Sequence, residues 1–257
     1  MRVRMRKAIY IFFMATALVF GAGVPAFAAV KPLDPSVAMD AWRLLHKMEE
    51  QYGIPQGLLH AISLVETGGG MEGQMVPWPY AINVNTGSWK RGAAQDLSLH
   101  LSYLDNVGFK RFTLRAPSGK TYEGLSLVAA KAHLEKYAAD LPYEVRGERF
   151  SRRFSGKWQA VFFVNRLLVS GHDNIDIGLM QVNWMYHGHH FADLAEAFEP
   201  YHNVNYAVSY LMRHREKYDW WGSVGRYHSG TKVHADRYIK GVWGMYQKVH
   251  RIMPTSG

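Results

Sequence analysis

Apolar residues recur at helical spacing through most of the chain. Leu58, Leu59, Ile62 and Val65 share one face of a segment bounded by Pro55 and the pair Gly68-Gly69. A proline suits the first turn of a helix, where its missing N–H costs nothing, and glycines end one. Glu66 follows Ile62 by four residues and Leu59 by seven, so it falls on the edge of that apolar face. Upstream, Ser36 reads as the N-cap of an amphipathic helix carrying Val37, Ala41, Leu44, Leu45 and Met48, ending near Tyr52-Gly53. Downstream, residues 68–89 are rich in Gly and Pro and read as a loop, a site wall as readily as a plain connector.

The middle of the chain is patterned less regularly. Ala93 to Val107 and Ala129 to Ala139 read as helices, and Ala116-Pro117-Ser118-Gly119 between β-prone pieces predicts a small hairpin. Arg146 to Lys157 interleaves five basic residues with Phe150 and Phe154, and reads as a solvated loop. Trp158 to Ser170 is again helical. In the last third, helices are predicted over Leu179 to His187, Phe191 to Phe198, a longer one capped by Asn203, then Trp220 to His228 and Ala235 to His250. The expected class is mostly α, with a possible small β-hairpin in the middle.

Composition changes this picture at the N-terminus. Arg2, Arg4, Arg6 and Lys7 precede an uncharged apolar run from Ile9 to Phe20, and Ala26-Phe27-Ala28 is a small-x-small cleavage site. Residues 1–28 therefore read as a cleavable export signal, too short in its apolar run for a membrane span, leaving 29–257 as the working domain. Losing four basic and no acidic residues lowers the formal charge from +9 to +5. That mild excess suits an anionic wall or membrane surface and does not call for a nucleic-acid partner. With no cysteine in the chain, an exported protein of this kind relies on its packed core and not on disulfides.

Among candidate chemistries, Glu66 stands out. A carboxyl at the edge of an apolar face is partly desolvated, which favours its protonated form and suits a general acid working near neutral pH. Asp176, just before Gly178, reads as the cap of the Leu179 helix or as a second carboxylate. His187, His189 and His190 lack the His-Glu-x-x-His spacing of a zinc site, and there is no nucleophile elbow. No metal or cofactor is expected.

Three segments, in order, resemble the soluble lytic transglycosylase (SLT) family, whose fold is related to goose-type lysozyme. They are Leu59-His60-Ala61-Ile62-Ser63-Leu64-Val65-Glu66-Thr67-Gly68, then Asp176-Ile177-Gly178-Leu179-Met180-Gln181-Val182-Asn183, then Tyr227-His228-Ser229-Gly230 with the later Tyr238. The stretches PWPYAINVNTG and DIGLMQVNWMYHG are similar to the subgroup associated with conjugation, pilus and type IV secretion machineries. The resemblance implies a lysozyme-like helical domain over 29–257, interrupted by an insertion at about 90–172. It implies a periplasmic enzyme that cuts peptidoglycan glycan strands, with Glu66 as acid and base. Thr67, Met180, Gln181, Asn183, Tyr227 and Tyr238 would contact substrate, with Tyr227 approaching Glu66. His228 and Ser229 depart from the family's Asn and Ala. A hydrolytic muramidase and a catalytically idle wall-binding scaffold are the competing readings.

Overall fold

The structure, a computed structural model, describes residues 32–71, 73–138 and 142–252. The expected export signal lies outside these residues. The fold is mostly α with small antiparallel sheets, as expected of a lysozyme-like helical domain.

Helix α1 (Pro35–Tyr52) starts two residues earlier than the pattern suggests. Asp34, not Ser36, is its N-cap: the carboxylate accepts from Ser36 N at 2.9 Å, and Pro35 takes the first helical position. Helix α2 (Leu58–Thr67) opens on Gly57, which has no side chain to cap with. The cap comes instead from α1. Glu49 accepts from Gly57 N at 2.8 Å, Leu59 N at 2.7 Å and His60 N at 3.3 Å, and it also bonds His60 Nδ1 at 3.1 Å. A carboxylate as buried as Glu49 would be costly alone, but here it satisfies the orphan donors of a helix start at its positive end. Helix α2 is consequently a central element, buried on most of its surface, with Val65 the outlier at 37 % exposure.

Three short strands follow where a loop is predicted: β1 (Gly69–Met71), β2 (Gln74–Val76) and β3 (Ala81–Val84). Next come β4 (Lys90–Gly92), α3 (Ala94–Val107), β5 (Phe112–Arg115), β6 (Thr121–Leu125), α4 (Leu127–Tyr137), β7 (Tyr143–Gly147), β8 (Phe150–Arg153) and α5 (Lys157–Val169). The predicted hairpin is β5–β6, and it belongs to a four-stranded antiparallel sheet in the order β4-β7-β5-β6. The basic stretch is no solvated loop. Arg152 lies over Phe154 and Phe163, Arg146 over Trp89, and β8 pairs with β3 in the register Ala81↔Arg153.

The segment after α5 also departs from expectation. In place of a helix from Leu179, the chain forms β9 (Ile175–Ile177), a turn, β10 (Val182–Asn183) and only then α6 (Trp184–His187), capped by Asn183. Left-handed Gly178 (φ 80°) and Gln181 (φ 50°) reverse the chain, and the strands complete a sheet ordered β10-β9-β3-β8. A Cβ on Gly178 would come within 2.4 Å of Asn203 Nδ2, so this position needs glycine both for its φ and for space.

A 3-10 turn (Gly188–His190), α7 (Leu194–Ala197), α8 (Pro200–Arg215), α9 (Trp220–His228) and α10 (Lys232–Ile252) complete the chain. The predicted Phe191–Phe198 helix shrinks to the single turn of α7, capped by Asp193. Asn203 does not cap α8, because Pro200 already starts it. Buried inside the helix, Asn203 donates to Ile177 O and Ala197 O and accepts from Met180 N at 2.8 Å, tying the β9–β10 turn to α8. Residues of α1 and α2, of the α3/β5 region and of α8 all belong to one contiguous apolar core.

Candidate active site

Glu66 sits in the last turn of α2 and opens onto a cleft of about 960 Å³. One wall comes from β3 and the start of β8 (Asn83, Asn85, Ser151), the other from α8 and α9 (Tyr206, Tyr210, Tyr227). Desolvation raises the Glu66 carboxyl to about 7. The Tyr238 hydroxyl, which donates to Glu66 Oε1 at 2.6 Å, pulls the other way, and the nearby charge of Asp176 adds to the rise. At near-neutral pH, Glu66 thus carries and releases a proton with comparable ease, the property a group that must act as acid and then as base requires.

Tyr238 comes from α10, which packs along α2. Its hydroxyl is held far above the ordinary range, first by burial and then by the Glu66 charge, so it remains a donor. The tyrosine that reaches the acid is therefore Tyr238. Tyr227 lines the cleft but donates to Met180 O at 2.6 Å.

The turn between β9 and β10 forms the floor. Gln181 lines the cleft in its left-handed conformation, and its amide nitrogen donates to Gly178 O at 2.9 Å and Ala81 O at 3.2 Å. Its Oε1 is buried and has no hydrogen-bond partner among the described residues. An unpaired buried acceptor beside a cleft, on a strained non-glycine residue, is an arrangement typical of binding sites.

Asn183 also lines the cleft and donates to Asp176 Oδ1 at 2.7 Å, while Asn85 donates to Oδ2 at 3.1 Å. Asp176 therefore caps no helix. It is a partly buried carboxylate on β9 facing the same cleft as Glu66, raised by desolvation against the lowering effect of its two amide partners. The alternation Ile175-Asp176-Ile177, buried on either side of an open position, is the sequence signal for that strand.

Two expected contact residues lie behind the cleft surface. Thr67 is buried, and its hydroxyl donates to Ser63 O at 2.9 Å and accepts from Trp78 N at 3.2 Å. Met180 is buried, and its backbone carries the links to Asn203 and Tyr227. Thr67 and Ser63 tie the end of α2 to the β9–β10 turn by donating to Leu179 O at 3.4 and 3.1 Å, whereas Met180 ties that turn to α8 and α9. Tyr206 and Tyr210, four residues apart on α8, were not expected at the site. Their signal is that they fall off the Val204, Ala207, Val208, Leu211 stripe, leaving an aromatic face turned elsewhere. His187 shares a 2.8 Å hydrogen bond with the Tyr206 hydroxyl. Among the described residues, no cluster of three His, Asp or Glu side chains is arranged to hold a metal ion.

No curated protein matches this chain, and no solved structure does. Residues 163–241 match the family model of the transglycosylase SLT domain. That stretch contains the floor turn, Asp176, Tyr227 and Tyr238 but not Glu66, which the fold delivers from α2. The match supports the SLT family for this chain.

Proposed function

We propose that the protein is a peptidoglycan lytic transglycosylase that cleaves the β-1,4 bond between N-acetylmuramic acid and N-acetylglucosamine. One observation carries the reading: a carboxyl held at about 7, bonded to a buried tyrosine, opens onto a cleft of about 960 Å³. Protonated Glu66 gives its proton to the glycosidic oxygen as the C1–O bond breaks, and the substrate's 2-acetamido oxygen stabilises C1. The carboxylate then takes the proton of the 6-hydroxyl, whose oxygen closes on C1 to give the 1,6-anhydro ring. Glu66 ends protonated and no water is consumed. Gln181 Oε1, lacking a protein partner, accepts from a substrate N–H or O–H, and the tyrosines of α8 and α9 offer faces to the sugar rings. The segment match supports peptidoglycan as the substrate class. Export through residues 1–28 and service to a conjugation or type IV secretion apparatus are part of the proposal, supported by the sequence patterns alone.

A second reading is favoured by Asp176. Two carboxyls in one cleft are what a hydrolytic muramidase uses. Digesting purified sacculi and weighing the products separates the two. Anhydro ends are expected, and reducing-end muramic acid in their place would establish hydrolysis. Glu66→Gln is expected to lower release of soluble fragments at least about 100-fold. Unchanged release from that variant would remove Glu66 from the chemistry, and a wild type that releases nothing would leave a wall-binding scaffold as the reading.

A further inference from the structure

His228, the last residue of α9, is exposed at the rim of the cleft, yet its ring lies flat on a buried neighbour. It stacks on Tyr238 with ring centroids 4.3 Å apart and planes within 3° of parallel. It is the only ring stacked on Tyr238 among the described residues. The corner between α9 and α10 fixes its place. Arg226 donates to Gly230 O at 2.7 Å, Ser229 N to Gly225 O at 3.0 Å, and Thr231 N to the Ser229 hydroxyl at 3.1 Å.

Beneath the imidazole, the Tyr238 hydroxyl is the one hydrogen-bond partner of the Glu66 carboxyl among the described residues. A phenol aims its hydroxyl only as well as its ring is confined. The bond to Glu66 changes both where the acid points and how readily it gives up its proton.

We propose that His228 is a positioning residue: it clamps the Tyr238 ring, keeps the hydroxyl on Glu66, and shields that bond from water in the cleft. This rests on Glu66 being the acid of the proposed reaction. The exposure of His228 makes the role testable, because an exposed side chain at a helix end can be trimmed without opening the core.

The test compares the wild-type protein with His228→Ala and His228→Phe, with folding checked by circular dichroism. Two quantities are read: kcat and KM on soluble uncrosslinked glycan strands, and the titration of the Glu66 carboxyl followed by carbon-13 NMR. For His228→Ala, kcat is expected to fall roughly 3- to 10-fold at unchanged KM, as losing one ring stack allows. Its Glu66 should titrate at higher pH than in the wild type, because a loosened Tyr238 bond no longer favours the carboxylate. His228→Phe, which keeps a stacking ring, should restore both. If His228→Ala leaves kcat and the Glu66 titration unchanged, the clamp does not exist. If it raises KM at constant kcat, or if Phe fails to rescue, the imidazole acts on substrate and the clamp is overturned. A wild-type protein that forms no anhydro product would instead sink the proposed function, and the Glu66 titration would still decide whether His228 confines Tyr238.

Discussion

A carboxyl that titrates near 7 in the folded protein and near 4.5 when free binds its proton more tightly in the native state. Between those two values the unfolded chain has already released the proton that the native chain still holds. Stability therefore falls as pH rises from about 4.5 through about 7, and the loss persists above that. At about 1.36 kcal/mol per pH unit the cost reaches roughly 3 kcal/mol. Glu66→Gln removes the titration while keeping an oxygen that can accept from Tyr238. Its thermal midpoint should exceed that of the wild type at about pH 8 and equal it at about pH 4.5. Equal midpoints at both pH values would mean that the carboxyl is not desolvated. This residue was legible in the sequence because its desolvation follows from local periodicity. Its partner was not: the choice between Tyr227 and Tyr238 depends on how α9 and α10 turn against α2. The sequence likewise carried no sign that Thr67 would spend its hydroxyl on Ser63 and Trp78.

At the scale of elements, α2 depends on a cap from a neighbouring helix. Glu49 stands eight residues before Gly57 and satisfies three backbone donors as well as His60. Removing it leaves those donors buried and unpaired. Glu49→Ala should lower unfolding stability by about 3 kcal/mol, read as a shift of the urea midpoint at constant slope. A shift corresponding to less than about 1 kcal/mol would mean that water replaces the carboxylate. Capping from a distance has no local signature, which is why Pro55 looked like the start of this helix. The opposite error occurred after Asp176. Leu179, Met180 and Val182 are apolar enough for a helix, but Gly178 and Gln181 take left-handed backbone, and pairing of Ile82 with Ile177 draws the segment into a sheet. The one local mark of the strand, the alternation of Ile175, Asp176 and Ile177, is too short to outweigh those apolar residues. Helices α3, α5, α9 and α10, whose stripes are long, were readable to within a few residues.

For the whole molecule, the mostly helical class and the order of the motifs could be read from the chain. The four-stranded sheet of the middle region could not, because its strands are too short to impose a period. Phe109, Phe112 and Leu97 from that region are fully buried in the same core as Leu59, Ile62 and Val208. Residues 32–252 should therefore unfold on heating in one transition, with tryptophan fluorescence and far-ultraviolet circular dichroism giving the same midpoint. Two separated midpoints would show that the middle region melts on its own.

The hydrogen bond between Tyr238 and Glu66 spans 172 positions of the chain. Neither α2 nor the segment from β9 to α10 completes the proton-handling pair by itself. A chain still being made, or folded only in part, has a carboxyl with an ordinary affinity for protons and no tyrosine beside it. On the proposed function, cutting requires closure of the two ends, so a chain that has not brought α10 against α2 should leave a wall intact.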